Sequence, residues 1–158
     1  MKIVFLDIDG VLVTLESFTK YKTSGNHARA HPDCVSALNL ILKATGARIV
    51  ISSSWRAPRR LGWFRLKFHE WGIHAAKSRT IGMTPDLPRY NGLIWLGKER
   101  GDEIQAWLDE HKGVESFVIL DDDSDMKHLK PRLVQSTFEK GLTPQLAEKA
   151  IALLSTAN

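Results

Sequence analysis

The chain has 158 residues, of which 43% are apolar and 25% charged, with a net charge of +4 at neutral pH. This composition suits one globular domain over residues 1–158 with a core of its own. The single cysteine, Cys34, excludes an intramolecular disulfide and favours a reducing compartment. No apolar run approaches membrane-spanning length, and Asp7 and Asp9 interrupt the amino-terminal apolar stretch, which argues against a signal peptide. We therefore expect a cytoplasmic protein with no membrane partner.

The first predicted element is a buried strand that ends in two carboxylates. Ile3 to Leu6 form an apolar run, and Asp7-Ile8-Asp9-Gly10 follows it directly. Carboxylates at the carboxyl end of a strand lie where open α/β sheets bind ligands. Because clustered carboxylates repel each other, the Asp-x-Asp pair indicates Mg²⁺, a protonated acid, or both.

A second strand is predicted at Arg48 to Ile51 and is followed by Ser52-Ser53-Ser54-Trp55-Arg56. Hydroxyl groups in this position can donate to a phosphate oxygen. Ala57-Pro58 is expected to begin the next helix, which would complete an anion-binding turn. An ordinary Ser-rich connection is the alternative.

The other predicted elements alternate between helix and strand. Residues 14 to 31 predict an exposed connection. Helical apolar spacing, strand patterns and Gly stops give five further elements: a helix around Cys34 to Leu42, a helix around Leu61 to Trp71, a short strand around His74 to Ile81, a helix over Asp102 to His111, and a final helix opened by Thr143-Pro144. This alternation predicts an α/β fold with a parallel sheet and helices on both faces.

A further strand, Val114 to Leu120, also ends in carboxylates, because Asp121-Asp122-Asp123 follows it. Alone, this acidic run would suit a solvated turn or a helix cap. Two acidic strand ends from adjacent parallel strands would instead form an oxygen-rich metal site.

The order of these motifs resembles the haloacid dehalogenase (HAD) superfamily of phosphatases. The most specific match is the octet Phe5 to Leu12, which resembles the first motif of the family. The resemblance implies a three-layer α/β/α Rossmann-like HAD fold with a central, mainly parallel sheet. Residues 13–31 are too few for a cap domain, and residues 57–97 are largely accounted for by one helix, a short strand and a loop, so an open site is expected.

The resemblance also implies roles for individual residues. Asp7 would attack phosphorus and form an aspartyl-phosphate, and Asp9 would act as general acid and then base. A Mg²⁺ ion would be held by Asp7, Asp9 and Asp122 with Asp121 or Asp123 assisting, together with the backbone carbonyl of Ile8.

The phosphate-binding groups are less sharply defined by the pattern. Ser53 is the preferred phosphate-binding hydroxyl, and Ser52 is the alternative. Lys98 is the preferred cation because the family usually supplies a lysine before this helix, but Arg100 and Lys77 stay open.

The expected reaction is hydrolysis of a phosphomonoester on an accessible phosphate. The small capless branch of multidomain RNA-repair proteins, and the related phosphatase module of polynucleotide kinase-phosphatases, are resembled by three segments: Ser53-Ser54-Trp55-Arg56, Arg100 to Ile104 with Trp107-Leu108, and Leu120-Asp121-Asp122-Asp123. Basic residues after the Ser-rich turn, including Arg56 and Arg59, would suit a nucleic-acid end on which Trp55 or Trp63 could stack. A phosphoprotein, a small metabolite, and a non-catalytic phosphate-binding or signalling module are the alternatives. The oligomeric state is left open.

Overall fold

The structure is a computed structural model that describes residues 1–20, 29–87 and 99–156. In these residues one parallel sheet of five strands has the order β3-β2-β1-β4-β5. Its strands are β1 Lys2–Leu6, β2 Arg48–Ile51, β3 Thr80–Met83, β4 Ser116–Asp121 and β5 Leu133–Gln135. Because every pairing is parallel, the carboxyl ends of all five strands meet at one edge.

Helices and 3₁₀ turns follow the strands. They are α1 Leu15–Lys20, α2 Pro32–Thr45, α3 Leu61–Glu70, α4 Ala76–Arg79, α5 Arg100–Glu110 and α6 Pro144–Ser155, with 3₁₀ turns at Ser54–Arg56 and Lys127–Arg132. The longest, α2, begins where the His31 side chain accepts a bond from the backbone of Asp33. It ends at Gly46, whose φ of 69° is left-handed backbone that glycine adopts without a Cβ clash.

Two apolar clusters place helices on both faces of the sheet. Along β1, Val4 and Leu6 face one cluster while Ile3 and Phe5 face the other, as strand alternation requires. The first cluster contains buried residues of α2, α3 and α6, and the second contains Ile104 and Trp107 of α5. The α/β class and the three-layer arrangement are therefore confirmed, and no separate cap is evident in the described residues.

Some predicted elements were misplaced. The helix expected at Pro58 begins only at Leu61, after the 3₁₀ turn Ser54–Arg56. Residues 76–79 are helical where a strand was expected, and β3 follows at Thr80. Ile73 and Ala76 are both buried and lie three residues apart, which is the spacing of a helical turn and not of a strand.

Two elements of the structure were not predicted from the sequence. Helix α1 lies in the segment predicted as an exposed connection, and β5 was not predicted because its three residues are too few to show periodicity. The single domain over residues 1–158 stays a prediction. In the described part of the chain no helix combines the length and the apolar character that crossing a bilayer requires.

Candidate active site

The site lies where β1, β2 and β4 end side by side. The backbone N–H of Asp7 donates to the Leu120 carbonyl of β4 at 3.0 Å, and that of Ser52 donates to the Leu6 carbonyl of β1 at 3.0 Å. These bonds extend the parallel ladders one residue beyond the strands. The first polar residues after β1 and β2 are thus positioned by the hydrogen bonding of the sheet itself.

Three carboxylates converge at this edge. Asp7, Asp121 and Asp122 each offer an oxygen, and these oxygens lie within 4.8 Å of one another. Asp121 is fully buried and Asp7 is 5% exposed. The close approach of Asp122 depends on Gly10, because a Cβ at that position would lie 2.2 Å from the Asp122 Cγ atom. Gly10 also has a φ of 71°, which side chains with a Cβ rarely adopt.

The protonation of these carboxyls reflects their crowding. Burial raises the pKa of Asp121 to about 7, and repulsion from Asp7 adds to this shift while Arg100 opposes it. Burial and then the charge of Asp7 also raise the pKa of Asp122. The buried Oδ2 atom of Asp121 has no hydrogen-bond partner among the described residues. Clustered carboxylate oxygens with an unsatisfied lone pair are the donor set that Mg²⁺ prefers, so these residues fit the ion.

Arg100 is the cation that the described residues bring to the carboxylates. Its Nη1 atom lies 3.8 Å from Asp7 Oδ1, and its Nε atom lies 3.4 Å from Asp121 Oδ2. Nη1 also donates to the Ser52 carbonyl. Burial alone would lower the pKa of Arg100, but the charges of Asp7 and Asp121 outweigh it and raise that pKa.

Arg100 reaches the carboxylates because of its position in the fold. It is the first residue of α5, which begins at the edge of the sheet where the carboxylates lie. Lys98, the residue preferred from the sequence, lies outside the described residues. Lys77 belongs to α4, which precedes β3 and therefore stands toward the amino ends of the strands, away from the carboxylates.

Asp9 is held differently from the other carboxylates. The indole Nε1 of Trp55 donates to Asp9 Oδ2 at 2.7 Å. Burial raises the pKa of Asp9, the Trp55 bond lowers it, and repulsion from Asp7 raises it further, so that the net shift is upward. Asp9 is not among the three converging residues, and its assignment as a metal ligand stays a prediction.

Both candidate serines are fully buried at the end of β2. Ser53 Oγ accepts the backbone N–H of Trp55 at 3.3 Å, which leaves the hydroxyl proton of Ser53 able to donate. Ser52 Oγ has no hydrogen-bond partner among the described residues. Ser52 and Ser53 both remain predicted phosphate-binding residues.

Arg56 has a role that the sequence did not suggest. It was expected on a basic surface, but its side chain is only 7% exposed and forms an ion pair with the buried Glu103 of α5. Its Nη1 atom donates to the carbonyls of Ser52 and Ser53 at 2.8 and 2.9 Å. Arg56 therefore ties the serine turn to the helix that carries Arg100. The sequence feature that could have revealed this role is Glu103, a charged residue next to Ile104 on the apolar stripe of α5.

The Ile8 carbonyl is not available as expected. It accepts the backbone N–H groups of Val11, Leu12 and Val13 at 3.3, 2.9 and 2.9 Å. These bonds close the turn after β1 and use the lone pairs that a metal would need, which argues against this carbonyl as a ligand; the assignment stays a prediction.

A cavity of about 340 Å³ adjoins these groups. Its lining residues are Ser54, Arg56, Ala57, Asp86, Arg100, Glu103, Asp123 and Asp125. The space beside Arg100 is therefore large enough for a small polar group.

Comparison with known proteins agrees with this geometry. The family model described as the HAD domain in Swiss Army Knife RNA repair proteins matches residues 3–147. The chain belongs to this family. Its membership confirms the resemblance seen in the sequence and supports a HAD-type phosphatase at the general level of reaction class. No curated protein matches the chain.

Proposed function

We propose that the protein is a Mg²⁺-dependent phosphomonoesterase that acts through an aspartyl-phosphate intermediate on the phosphate at a nucleic-acid end. One observation carries the proposal. The carboxylate of Asp7, directly after β1, shares the sheet edge with Asp121 and Asp122 and faces the guanidinium of Arg100. Phosphoryl transfer depends chiefly on positioning and charge neutralisation, and this edge supplies carboxylates and a cation together.

In this mechanism Asp7 and Asp9 divide the chemistry. An Asp7 oxygen attacks phosphorus, and the bond between phosphorus and the leaving oxygen breaks as Asp9 gives that oxygen its proton. Asp9 then takes a proton from water, which attacks the aspartyl-phosphate and releases inorganic phosphate. The raised pKa of Asp9 favours the protonated form that the first step needs. The indole of Trp55 fixes the direction in which this carboxyl points.

The other groups would neutralise and orient the phosphoryl oxygens. Arg100 and the hydroxyl of Ser53, with Ser52 as the alternative, are proposed to contact them, and Lys98 stays a proposal outside the described residues. Asp7, Asp121 and Asp122 would hold Mg²⁺, which supplies positive charge for the equatorial oxygens when bound. Asp9 is the fourth proposed metal ligand.

The nucleic-acid end is proposed from two supports. The matching family model is named for RNA repair proteins. No separate cap is evident over the sheet edge in the described residues, which suits a phosphate carried on a large molecule.

The test is phosphate release from an aryl phosphate, with and without Mg²⁺, by the wild type and by Asp7→Asn. The variant keeps the side-chain shape but loses the nucleophile, so release should fall about a thousandfold or more while the thermal transition stays cooperative. Asp109→Asn, at an exposed position of α5, is the matched control and should keep wild-type rates.

Two outcomes would contradict the mechanism: full activity in Asp7→Asn, or activity that does not depend on Mg²⁺. Phosphorylated oligonucleotides, phosphopeptides and sugar phosphates are then compared by kcat/KM. A preference for either of the latter two would overturn the nucleic-acid assignment while leaving the chemistry intact.

A further inference from the structure

An aromatic surface begins at the carboxyl of Asp9. The Trp55 indole that binds Asp9 also contacts Trp63, with ring centroids 6.2 Å apart. Trp55 and Trp63 are both partly exposed and pack against the core on their inner sides. In the proposed reaction Asp9 protonates the leaving oxygen, and the leaving group of a phosphomonoester is the rest of the substrate. The surface that starts at Trp55 is therefore next to the substrate beyond its phosphate.

A cation lies across this surface. The guanidinium carbon of Arg59 is 4.7 Å from the ring centroid of Trp63 and 5.3 Å from that of Trp55. Arg59 Nη1 also donates to the Trp55 carbonyl at 3.1 Å. The side chain is thus held in place by both rings and by the backbone, so little rotamer entropy remains to be lost when a ligand binds.

Among the described residues, no neighbouring acid neutralises the charge of Arg59. Arg56 and Arg100 each have a carboxylate partner, whereas Arg59 forms no ion pair within the described residues. Lys67, whose Nζ atom is 5.9 Å from the Trp63 ring centroid, forms an ion pair with Glu70 at 2.8 Å and adds less. A half-buried guanidinium with this charge available favours an anionic ligand.

The combination fits one class of ligand. Nucleobases stack on aromatic rings and on guanidinium planes, and a guanidinium also binds the phosphate between nucleotides. A phosphopeptide offers a flanking phosphate or a planar ring only at particular residues, whereas a single-stranded nucleic acid offers both at every position.

We infer that Trp55, Arg59 and Trp63 bind the nucleotides next to the terminal phosphate of a single-stranded nucleic acid. This inference rests on the proposed function, because that function places the phosphate at Asp7 and the leaving group beside Asp9. It goes beyond that function by naming the residues that select the polymer.

The experiment measures binding without turnover. Binding is measured with the Asp7→Asn variant, in which the substrate is not turned over. The method is fluorescence anisotropy of short single-stranded oligonucleotides that carry a 3′- or a 5′-phosphate, with Mg²⁺, at several salt concentrations. Adding Arg59→Ala should weaken binding about tenfold and reduce the salt slope by about one. Arg48→Ala is the matched control, because it removes the same charge from an exposed position at the amino end of β2.

A second pair of variants separates stacking from charge. Trp63→Phe keeps an aromatic face and should bind within a fewfold of the parent, whereas Trp63→Leu should lose about tenfold, in line with the stacking contribution of one base. Thermal transitions of both variants check that the fold is retained. If Trp63→Leu unfolds, the Arg59→Ala result decides alone.

The outcomes keep the two proposals apart. Equal losses in Arg59→Ala and Arg48→Ala, or an equal loss for a phosphopeptide, would overturn the inference. If the wild type hydrolyses aryl phosphate and Arg59→Ala binds oligonucleotide normally, the phosphatase proposal stands and the binding surface is wrong. If no substrate is hydrolysed but Arg59→Ala selectively loses oligonucleotide binding, the surface stands and the catalytic proposal fails.

Discussion

Two regions meet at Asp9 and differ in how they hold charge. On one side Asp7 and Asp121 are buried carboxylates that repel each other and are offset by Arg100. On the other side Arg59 rests on half-buried indole rings with its charge unpaired in the described residues. The first region contains repulsion between carboxylates that a bound metal cation would relieve, whereas the second holds a cation on aromatic rings.

Under the proposed function, this difference corresponds to a division between chemistry and recognition. Buried, opposed charges shift pKa values and are typical of reacting groups. Partly exposed aromatic and basic side chains contribute contact area without perturbing the reacting groups. Substitutions on the carboxylate side should therefore change rate, metal binding and pH dependence, and those on the Arg59 side should change substrate preference.

After Asp7→Asn, the largest effect that would sharpen this comparison is expected at Arg100. Arg100→Ala removes the cation nearest to Asp7 and Asp121, and we expect kcat to fall about a hundredfold, as for loss of one preorganised donor. Arg100→Lys should recover only part of this, because an ammonium cannot reproduce the two-sided contact of a guanidinium. Steady-state kinetics on aryl phosphate measure both, with Arg48→Ala as control. A loss confined to KM would indicate that Arg100 only binds substrate.

A smaller effect is expected at Gly10. In Gly10→Ala the new Cβ would meet the Asp122 carboxylate in a backbone conformation that disfavours a side chain. Displacing Asp122 should weaken Mg²⁺ binding roughly tenfold, measured by calorimetry and by the Mg²⁺ dependence of activity. Gly62→Ala is the control, since nothing lies within 4 Å of its Cβ position and its φ is not positive. Unchanged Mg²⁺ affinity in Gly10→Ala would separate Asp122 from the metal.

The smallest effect is on stability and concerns Asp121. Its folded pKa of about 7 exceeds the ordinary value of 3.8, so folding favours the protonated form. In metal-free buffer the contribution of Asp121 to stability is therefore greatest at low pH within this window and falls as pH rises from about 4 to about 7. Asp121→Asn should remove this fall, because its side chain carries no charge at either end of the window.

The expected gain at pH 8 without metal is on the order of 1 kcal/mol, a few degrees in Tm, because Arg100 loses a partner at the same time. Thermal melts at pH 5 and pH 8 in a chelating buffer measure it, and Mg²⁺ should restore stability at pH 8 in the wild type more than in the variant. A change in Tm between pH 5 and pH 8 that is the same in the wild type and in Asp121→Asn would show that the Asp121 pKa is not raised.

The sequence was sufficient for the elements whose signals are local. The apolar runs before Asp7 and Asp121 predicted β1 and β4, and the alternation of elements predicted the parallel α/β sheet. Since parallel strands align their carboxyl ends, the meeting of these two acidic motifs followed from the same pattern. Ser52 and Ser53 were placed by this argument as well.

Tertiary structure alone decided how the side chains are partnered. Arg56 and Arg59 lie in one short basic segment, yet Arg56 is buried against Glu103 and Arg59 lies on two indole rings. The Trp55 bond to Asp9 joins residues that the sequence places 46 positions apart. Such pairings depend on the packing of α3 and α5 against the sheet edge, which no local periodicity encodes. The sequence by itself therefore determined where the carboxylates gather, and the tertiary structure determined that Arg100 faces them while Arg59 lies on two indole rings.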